Sequence, residues 1–275
     1  MRNIASSIYQ IGKYKDIKDL NPTYHSNVQA WKNLNPDWEY NYTNDIDAGQ
    51  ELKEFDANLY ELYRLLDLGN KKHGLSGAFK TDVWRYVKIY KEGGIYADLD
   101  SAPLIPLEMM HMIKYKSEEN LIIPPRSYGT FKSSFSPVEC FPCNEFLKIK
   151  NNKFNTNDYC LNNSMFAGVK NSEVLNNLIK EILSLFDIFK KLHKNINDME
   201  SHQPISSISD PSTFTNIVNK NIKGVSQTFI YGEHQGSAIS PMTGKIIKNF
   251  KEDFVDYEIF YGKRIKYSEF NNQSL

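Results

Sequence analysis

The amino-acid sequence predicts an α/β fold built on a mixed, mainly parallel sheet flanked by helices. The amino-terminal part of the chain alternates strand-like and helix-like segments in the order β-α-β-α, a pattern that favours parallel strands with helices on the sheet faces. The composition, 40% hydrophobic and 13% aromatic over 275 residues, is enough for a buried core in a single domain.

The elements follow in order. "ASSIYQIG" reads as a first strand closed by Gly12. "HSNVQAWKNLNPDWEYNYTN" reads as a helix, a turn at Pro36 and a second strand, "WEYNYT", with alternating aromatics. Residues 48–68, "AGQELKEFDANLYELYRLLDL", have the spacing of one helix with its stop at Gly69. In "SGAFKTDVWRYVKIYKEGG", Phe79, Val83, Tyr86, Val87 and Tyr90 form one apolar stripe on an amphipathic helix. Gly93 or Gly94 supplies the left-handed residue that ends it. "IYADLD" then alternates as a strand, with Ile95, Ala97 and Leu99 on one face and Tyr96, Asp98 and Asp100 on the other.

Beyond Pro106 the pattern gives a short helix over 107–116, a strand at "NLIIPP" and a long Ser/Phe/Cys-rich loop. A strand at "SMFAGV" leads into a long helix, "NSEVLNNLIKEILSLFDIFKKL", and "SDPSTFTNIVNK" enters another. Residues 225–275 read as aromatic-rich strands and loops. Trp31, Trp38 and Trp84 are expected in the core.

Lysine plus arginine equal aspartate plus glutamate at 33 each, so no overall field draws the chain to nucleic acid or to an anionic membrane. The start lacks the apolar core of a signal peptide, and no stretch nears the roughly 18 apolar residues of a membrane span. The expected location is cytoplasmic. Cys140, Cys143 and Cys160 are an odd set, and "CFPC" has no second pair to complete a zinc site. Ordinary loop cysteines are expected.

The chemistry concentrates in "GGIYADLDSAP". On one strand face Asp98 and Asp100 would have Cβ atoms about 7 Å apart, and two such carboxylates repel unless a cation or proton intervenes. A hard divalent ion, Mn²⁺ or Mg²⁺, suits them, because such ions take a few carboxylates together with substrate phosphates. Asp82 and Arg85 are three apart on the preceding helix and point the same way. Gly93-Gly94 lets the backbone turn directly into the strand, and Tyr96 shares the Asp98 face. The plainer alternatives are a solvated strand end, an Asp82–Arg85 surface ion pair worth little and a half-buried strand tyrosine.

"TDVWRYVKIYKEGGIYADLDSAPL" resembles the DXD sugar-binding segment of the glycosyltransferase family 32 group, shared by the clostridial glucosylating toxins. The pattern is Ser/Thr-Asp-x-x-Arg followed by Gly-Gly-x-Tyr-x-Asp-x-Asp, filled here by Thr81, Asp82, Arg85, Gly93, Gly94, Tyr96, Asp98 and Asp100. "SSIYQIG" resembles the family's first strand, with Tyr9 where His is common and Gly12 where Trp is common. "NPDWEYNYTND" and "NNSMFAGVKNSEVL" resemble two further family segments, and "SDPSTFT" stands where "TGPxxLT" is common. "YGEHQGSA" is similar to the carboxyl-terminal "H-x-x-GSW", with Ala238 replacing Trp.

The resemblance implies a GT-A glycosyltransferase fold, Rossmann-like, as one domain over 1–275. Its 1–106 half would bind the nucleotide sugar, and its 107–275 half would hold the acceptor side and a carboxyl-terminal active-site loop. It also implies a retaining transferase that uses Mn²⁺ (or Mg²⁺) and a nucleotide sugar, UDP-linked in preference to GDP-linked. A hexose or N-acetylhexosamine would pass to a glycan or glycoconjugate acceptor. By the same resemblance Asp100 ligates the metal directly and Asp98 contacts the ribose or reaches the metal through water. Asp82 and Arg85 hold donor-sugar hydroxyls, and Tyr96 holds the pyrophosphate. Asn163 lies near the acceptor, Tyr9 and Gln10 lie near the nucleotide base, and His234 and Ser237 belong to the closing loop at the metal and pyrophosphate. No dedicated protein base is implied, since the leaving phosphate can accept the acceptor's proton.

Two other readings stay open: a nucleotide-sugar-binding pseudo-transferase, and a haloacid-dehalogenase-type phosphatase that "YADLDSA" resembles.

Overall fold

The computed structural model describes residues 4–69, 76–99, 101–103, 106–107, 121–122, 163, 165–192, 205, 208–209, 213–214, 217, 238–239 and 246–247. Strand β1 (Ser7–Gly12) opens the fold. A 3-10 turn at Ile17–Asp19 follows, and then helix α1 (Pro22–Leu34). Asn21 caps α1 by accepting from the Tyr24 amide at 3.0 Å, and Pro22 fills the first helical position, where no amide donor is needed. Strand β2 (Glu39–Asn44) pairs parallel with β1 from Ser7↔Glu39 to Gly12↔Asn44.

The single helix expected over 48–68 is two, α2 (Asp45–Phe55) and α3 (Ala57–Gly69). Asp56 divides them. Its backbone is extended, with φ −159° and ψ 126°. Its amide closes α2 on the Leu52 carbonyl at 2.8 Å, while its carboxylate accepts from the Asn58 and Leu59 amides at 2.7 and 3.2 Å. A short acidic side chain competes for backbone donors and so starts a new helix inside a continuous apolar pattern. At the other end, Asn44 accepts from the Ile46 and Asp47 amides and moves the start of α2 ahead of the expected position. Asp45 and Asp47 in its first turn suit the helix dipole.

Helix α4 (Ser76–Glu92) carries the expected stripe, with Val83, Tyr86 and Val87 buried and Phe79 and Tyr90 packed against them. It ends as predicted. The Gly93 amide bonds the Ile89 carbonyl at 2.9 Å, and Gly93 and Gly94 have φ +71° and +105°. Strand β3 (Gly94–Ala97) follows at once and pairs parallel with β1. Strand β4 (Leu121–Ile122), strand β5 (Met165–Gly168) and helix α5 (Glu173–Leu192) complete the main unit. Two-residue strands β6 (Ala238–Ile239) and β7 (Ile246–Ile247) pair with each other.

Among the described residues the main sheet runs β2-β1-β3-β5-β4. Its β2-β1-β3 part is parallel, whereas β5 is antiparallel to both β3 and β4. Alternate residues of β3 serve the two faces. Ile95 and Ala97 join Ile8, Met165 and Trp31 of α1, and Tyr96 joins Phe166 and the large core beneath α2–α5. Side chains buried this fully contribute about 2 kcal/mol each from apolar surface removed from water. Trp31 and Trp84 are 1% exposed, and Trp38 packs against the Trp31 cluster. No described helix is long and apolar enough to cross a membrane.

Candidate active site

The chain goes from β1 to β2 on one side and then crosses back over β1 to place β3 on the other. Connections therefore diverge between β1 and β3, and the crevice outside the carboxyl ends of such a strand pair is where open α/β sheets take ligands. Gly12 and Asp98 stand there. The approach is close: a Cβ on Gly12 would lie 2.7 Å from both Leu99 and the Tyr42 hydroxyl.

Asp98 is not on the strand. β3 closes at Ala97, and the chain turns, with the Asp98 carbonyl accepting from the Ser101 amide at 3.0 Å and from the Ser101 hydroxyl at 2.6 Å. The expected alternation through "IYADLD" is therefore corrected at Asp98. β1 pairs with β3 only at Ile8↔Ile95 and Tyr9↔Tyr96, and the Asp98–Ser101 turn takes up the carbonyl beyond.

Arg85 gathers the other groups. Its Nη2 lies 3.1 Å from Asp82 Oδ1 and 3.1 Å from Asp98 Oδ1, and its Nη1 donates to the Asn163 carbonyl. Its guanidinium sits 4.5 Å above the Tyr96 ring, a favourable cation–π arrangement. The Asp82–Arg85 pair is thus an i,i+3 pair as spaced in sequence, but it is buried, at 6% and 4% side-chain exposure. Burial works against the guanidinium charge. The Asp98 carboxylate, with Tyr96 and Asp82, outweighs it and holds the arginine firmly protonated.

Asn163, just before β5, donates from Nδ2 to Asp82 Oδ1 at 2.9 Å and to the Tyr86 hydroxyl at 2.8 Å. The Tyr86 hydroxyl reaches the Ser209 carbonyl at 3.3 Å, and its ring stacks on Phe214 at 5.4 Å. Tyr96 is fully buried and donates its hydroxyl to Asp98 Oδ1 at 2.5 Å. Desolvation, followed by the Asp98 charge, pushes that phenol well above its ordinary pKa even against the nearby Arg85.

Asp82, Arg85, Tyr96, Asp98 and Asn163 therefore meet in one network. Gln10, fully buried, donates to the Asp98 carbonyl at 2.9 Å and accepts from the Tyr40 hydroxyl at 2.6 Å. Tyr9 occupies the core instead, at 7% exposure, with Lys88 5.3 Å from its ring and its phenol raised by burial. Asp100, His234 and Ser237 lie outside the described residues.

Sequence reasoning passed over Tyr86, Asn27, Trp31 and Ser101. Tyr86 sat on the apolar stripe, and Trp31 reads as core. Nothing local marks Asn27 as a partner of residues far along the chain. Ser101, three residues after Asp98, fits the i and i+3 positions of a turn and was the one available signal.

Both contacts of the Asp98 carboxylate among the described residues fall on Oδ1. Its side chain is 28% exposed, and no contact from the described residues falls on Oδ2. A part-exposed carboxylate at the crevice suits a hard divalent ion. Among the described residues there is no group of three or more metal-ligating side chains.

Residues 22–119 match the family described as "Glycosyltransferase sugar-binding region containing DXD motif". Among solved structures, the chain is similar to the PaToxG glycosyltransferase at 15% identity and TM-score 0.49, over 81% of this chain and 72% of that one. It is similar to the UDP-bound glycosyltransferase domain from the YGT toxin at 11% identity and TM-score 0.44, over 100% and 90%. Likeness to the catalytic domain of alpha-toxin from Clostridium novyi is 11% in identity, with TM-score 0.37 over 98% and 76%. No curated protein matches the chain.

Proposed function

We propose that this chain, which carries the DXD-containing sugar-binding region of a glycosyltransferase over residues 22–119, moves a hexose or N-acetylhexosamine from a nucleotide sugar to a glycan or glycoconjugate. UDP is the nucleotide we favour, and retention of anomeric configuration is the stereochemical course. The observation that carries this reading is the Arg85 guanidinium joining Asp82, Asp98 and the Asn163 carbonyl at the mouth of the β1/β3 crevice.

Each residue has a role that its chemistry supports. Asp98 and Asp100 would hold the divalent ion, Mn²⁺ or Mg²⁺. When bound, that ion neutralises charge on the departing diphosphate. Asp82 accepts from donor-sugar hydroxyls. Arg85, fixed between the Asp82 and Asp98 carboxylates, serves the same donor-sugar hydroxyls as a hydrogen-bond donor. Tyr96 orients Asp98 through its phenol. Asn163 ties the acceptor side to Asp82. By the family resemblance, His234 is assigned to the metal and Ser237 to the diphosphate.

Calorimetric titration of UDP with and without Mn²⁺, paired with donor-sugar hydrolysis, tests this. Metal-dependent UDP binding that is lost in Asp98→Ala and Asp100→Ala is expected. Binding indifferent to metal, or unchanged in both variants, overturns the reading. UDP binding without hydrolysis or transfer identifies a pseudo-transferase instead.

A further inference from the structure

The Asp98–Ser101 turn is held by more than its own hydrogen bonds. Asn27 on α1 donates from Nδ2 to the Leu99 carbonyl at 2.9 Å. One helical turn on, Trp31 donates its indole N–H to the Ser101 carbonyl at 3.0 Å. Gln10 on β1 donates to the Asp98 carbonyl at 2.9 Å and is itself set by Tyr40. The carbonyls of Asp98, Leu99 and Ser101 thus each receive a side-chain donor from an element far away in sequence.

Asn27 and Trp31 are four apart and lie on one helix face. Ser26 shows the contrast, since its hydroxyl returns to its own helix at the Pro22 carbonyl, 2.8 Å away. A peptide unit is planar, so an anchored Leu99 carbonyl fixes the plane of the bond leading out of Leu99. The Ser101 amide, bound to the Asp98 carbonyl at 3.0 Å, fixes the next plane. Helix α1 and strand β1 therefore hold the carbonyls of Asp98, Leu99 and Ser101, the described residues around the DXD motif.

We propose that Asn27 is a positioning residue for the divalent-cation site, acting with Trp31 and Gln10 to hold the DXD turn in its metal-binding geometry before the ion arrives. This rests on the glycosyltransferase reading above. Preorganised ligands spare the ion the cost of ordering the loop, so the loss is read in metal affinity ahead of fold stability. Asn27 is only half-buried, which makes it the cleanest of the three to change.

The test measures Mn²⁺ affinity of the full chain in saturating UDP, together with thermal unfolding and amide hydrogen exchange at Ser101. In Asn27→Leu, Mn²⁺ affinity is expected to fall about tenfold, the equivalent of one lost hydrogen bond. Exchange at Ser101 should quicken, with the melting temperature nearly unchanged. Asn27→Asp separates positioning from simple charge. An added carboxylate near the site would tighten Mn²⁺ if charge dominated, whereas positioning requires it to weaken as Asn27→Leu does. Ser26→Ala serves as the control and should match wild type throughout. Unchanged affinity and exchange in Asn27→Leu, or tighter binding in Asn27→Asp, overturns the proposal alone. Absence of metal-dependent binding in the wild-type chain overturns the functional reading and this proposal with it.

Discussion

Arg85 Nη2 stands 3.1 Å from Asp98 Oδ1, across the helix end and the glycine turn that separate the two residues in sequence. The same nitrogen stands 3.1 Å from Asp82 Oδ1. One buried guanidinium thus balances two carboxylates, one inside the protein and one at the crevice.

Removing that guanidinium leaves Asp82 buried without the Arg85 counter-charge. Arg85→Met is expected to destabilise the fold by about 3–5 kcal/mol, the range for breaking a buried pair from one side. Adding Asp82→Asn to Arg85→Met should recover most of the loss, because neither member of the buried pair is then charged. Thermal unfolding of the two variants decides it. Equal melting temperatures for Arg85→Met and wild type would mean that the pair adds no stability.

The glycine pair should tolerate no side chain. A Cβ on Gly94 would lie 2.6 Å from the Ser7 carbonyl oxygen, and one on Gly93 2.8 Å from the Lys170 amide nitrogen. Both neighbours are backbone, and both glycines have positive φ. Gly93→Ala and Gly94→Ala should each cost about 2–4 kcal/mol. Gly49, inside α2 with nothing nearer than 3.4 Å, is the contrast: Gly49→Ala should be neutral or gain up to about 1 kcal/mol. Urea unfolding of the three variants measures the difference.

Asn163→Asp places a carboxylate where Asp82 and the Tyr86 hydroxyl now receive an amide donor. Two buried carboxylates in contact hold one proton more tightly than either would in water. The variant's folded pKa is therefore raised, so its stability is present at low pH and lost as pH rises through the raised value. We expect about 2–4 kcal/mol of destabilisation at neutral pH, shrinking on acidification. Unfolding midpoints measured across the acid range test the slope.

At the alkaline end the buried tyrosines govern. Burial raises Tyr96 well above its ordinary value and also raises Tyr9 and Tyr40. Burial and the Asp45 charge push Tyr42 up to about 12. Unfolded tyrosine ionises near pH ~10. The stability these phenols contribute is fully present below that pH and falls as pH rises past it. Ultraviolet titration should show them ionising only together with unfolding. Ionisation of all the chain's tyrosines near pH ~10, with the fold intact, would contradict this.

Much of the fold could be read from the sequence, because its signals are periodic and local. The stripe on α4, the alternating aromatics of β2 and the glycines ending α4 each follow from backbone geometry. What could not be read depended on competition between partners. Asp56 splits a pattern that is apolar on both sides, and only its capping bonds show that a second helix starts there. Asp98 leaves the strand because Ser101 takes its carbonyl. The DXD residues announced a site, but Asn27, Trp31 and Tyr86 gave no sign of their part in it. Their partners lie far along the chain, and the residue types involved are common in ordinary helices.

Strand β3 has β1 on one side and β5 on the other. That placement has a consequence for how the chain must be made. A ribosome completes residues 94–97 long before 165–168, and until then β3 is an unpaired edge, apolar on both faces. Such an edge invites pairing with another nascent chain. A fragment ending near residue 106 keeps that edge permanently and should self-associate when expressed alone. Attempts to divide this protein between residue 106 and β5 should therefore yield aggregates, and a cut beyond β5 is the first that would leave β3 paired on both sides.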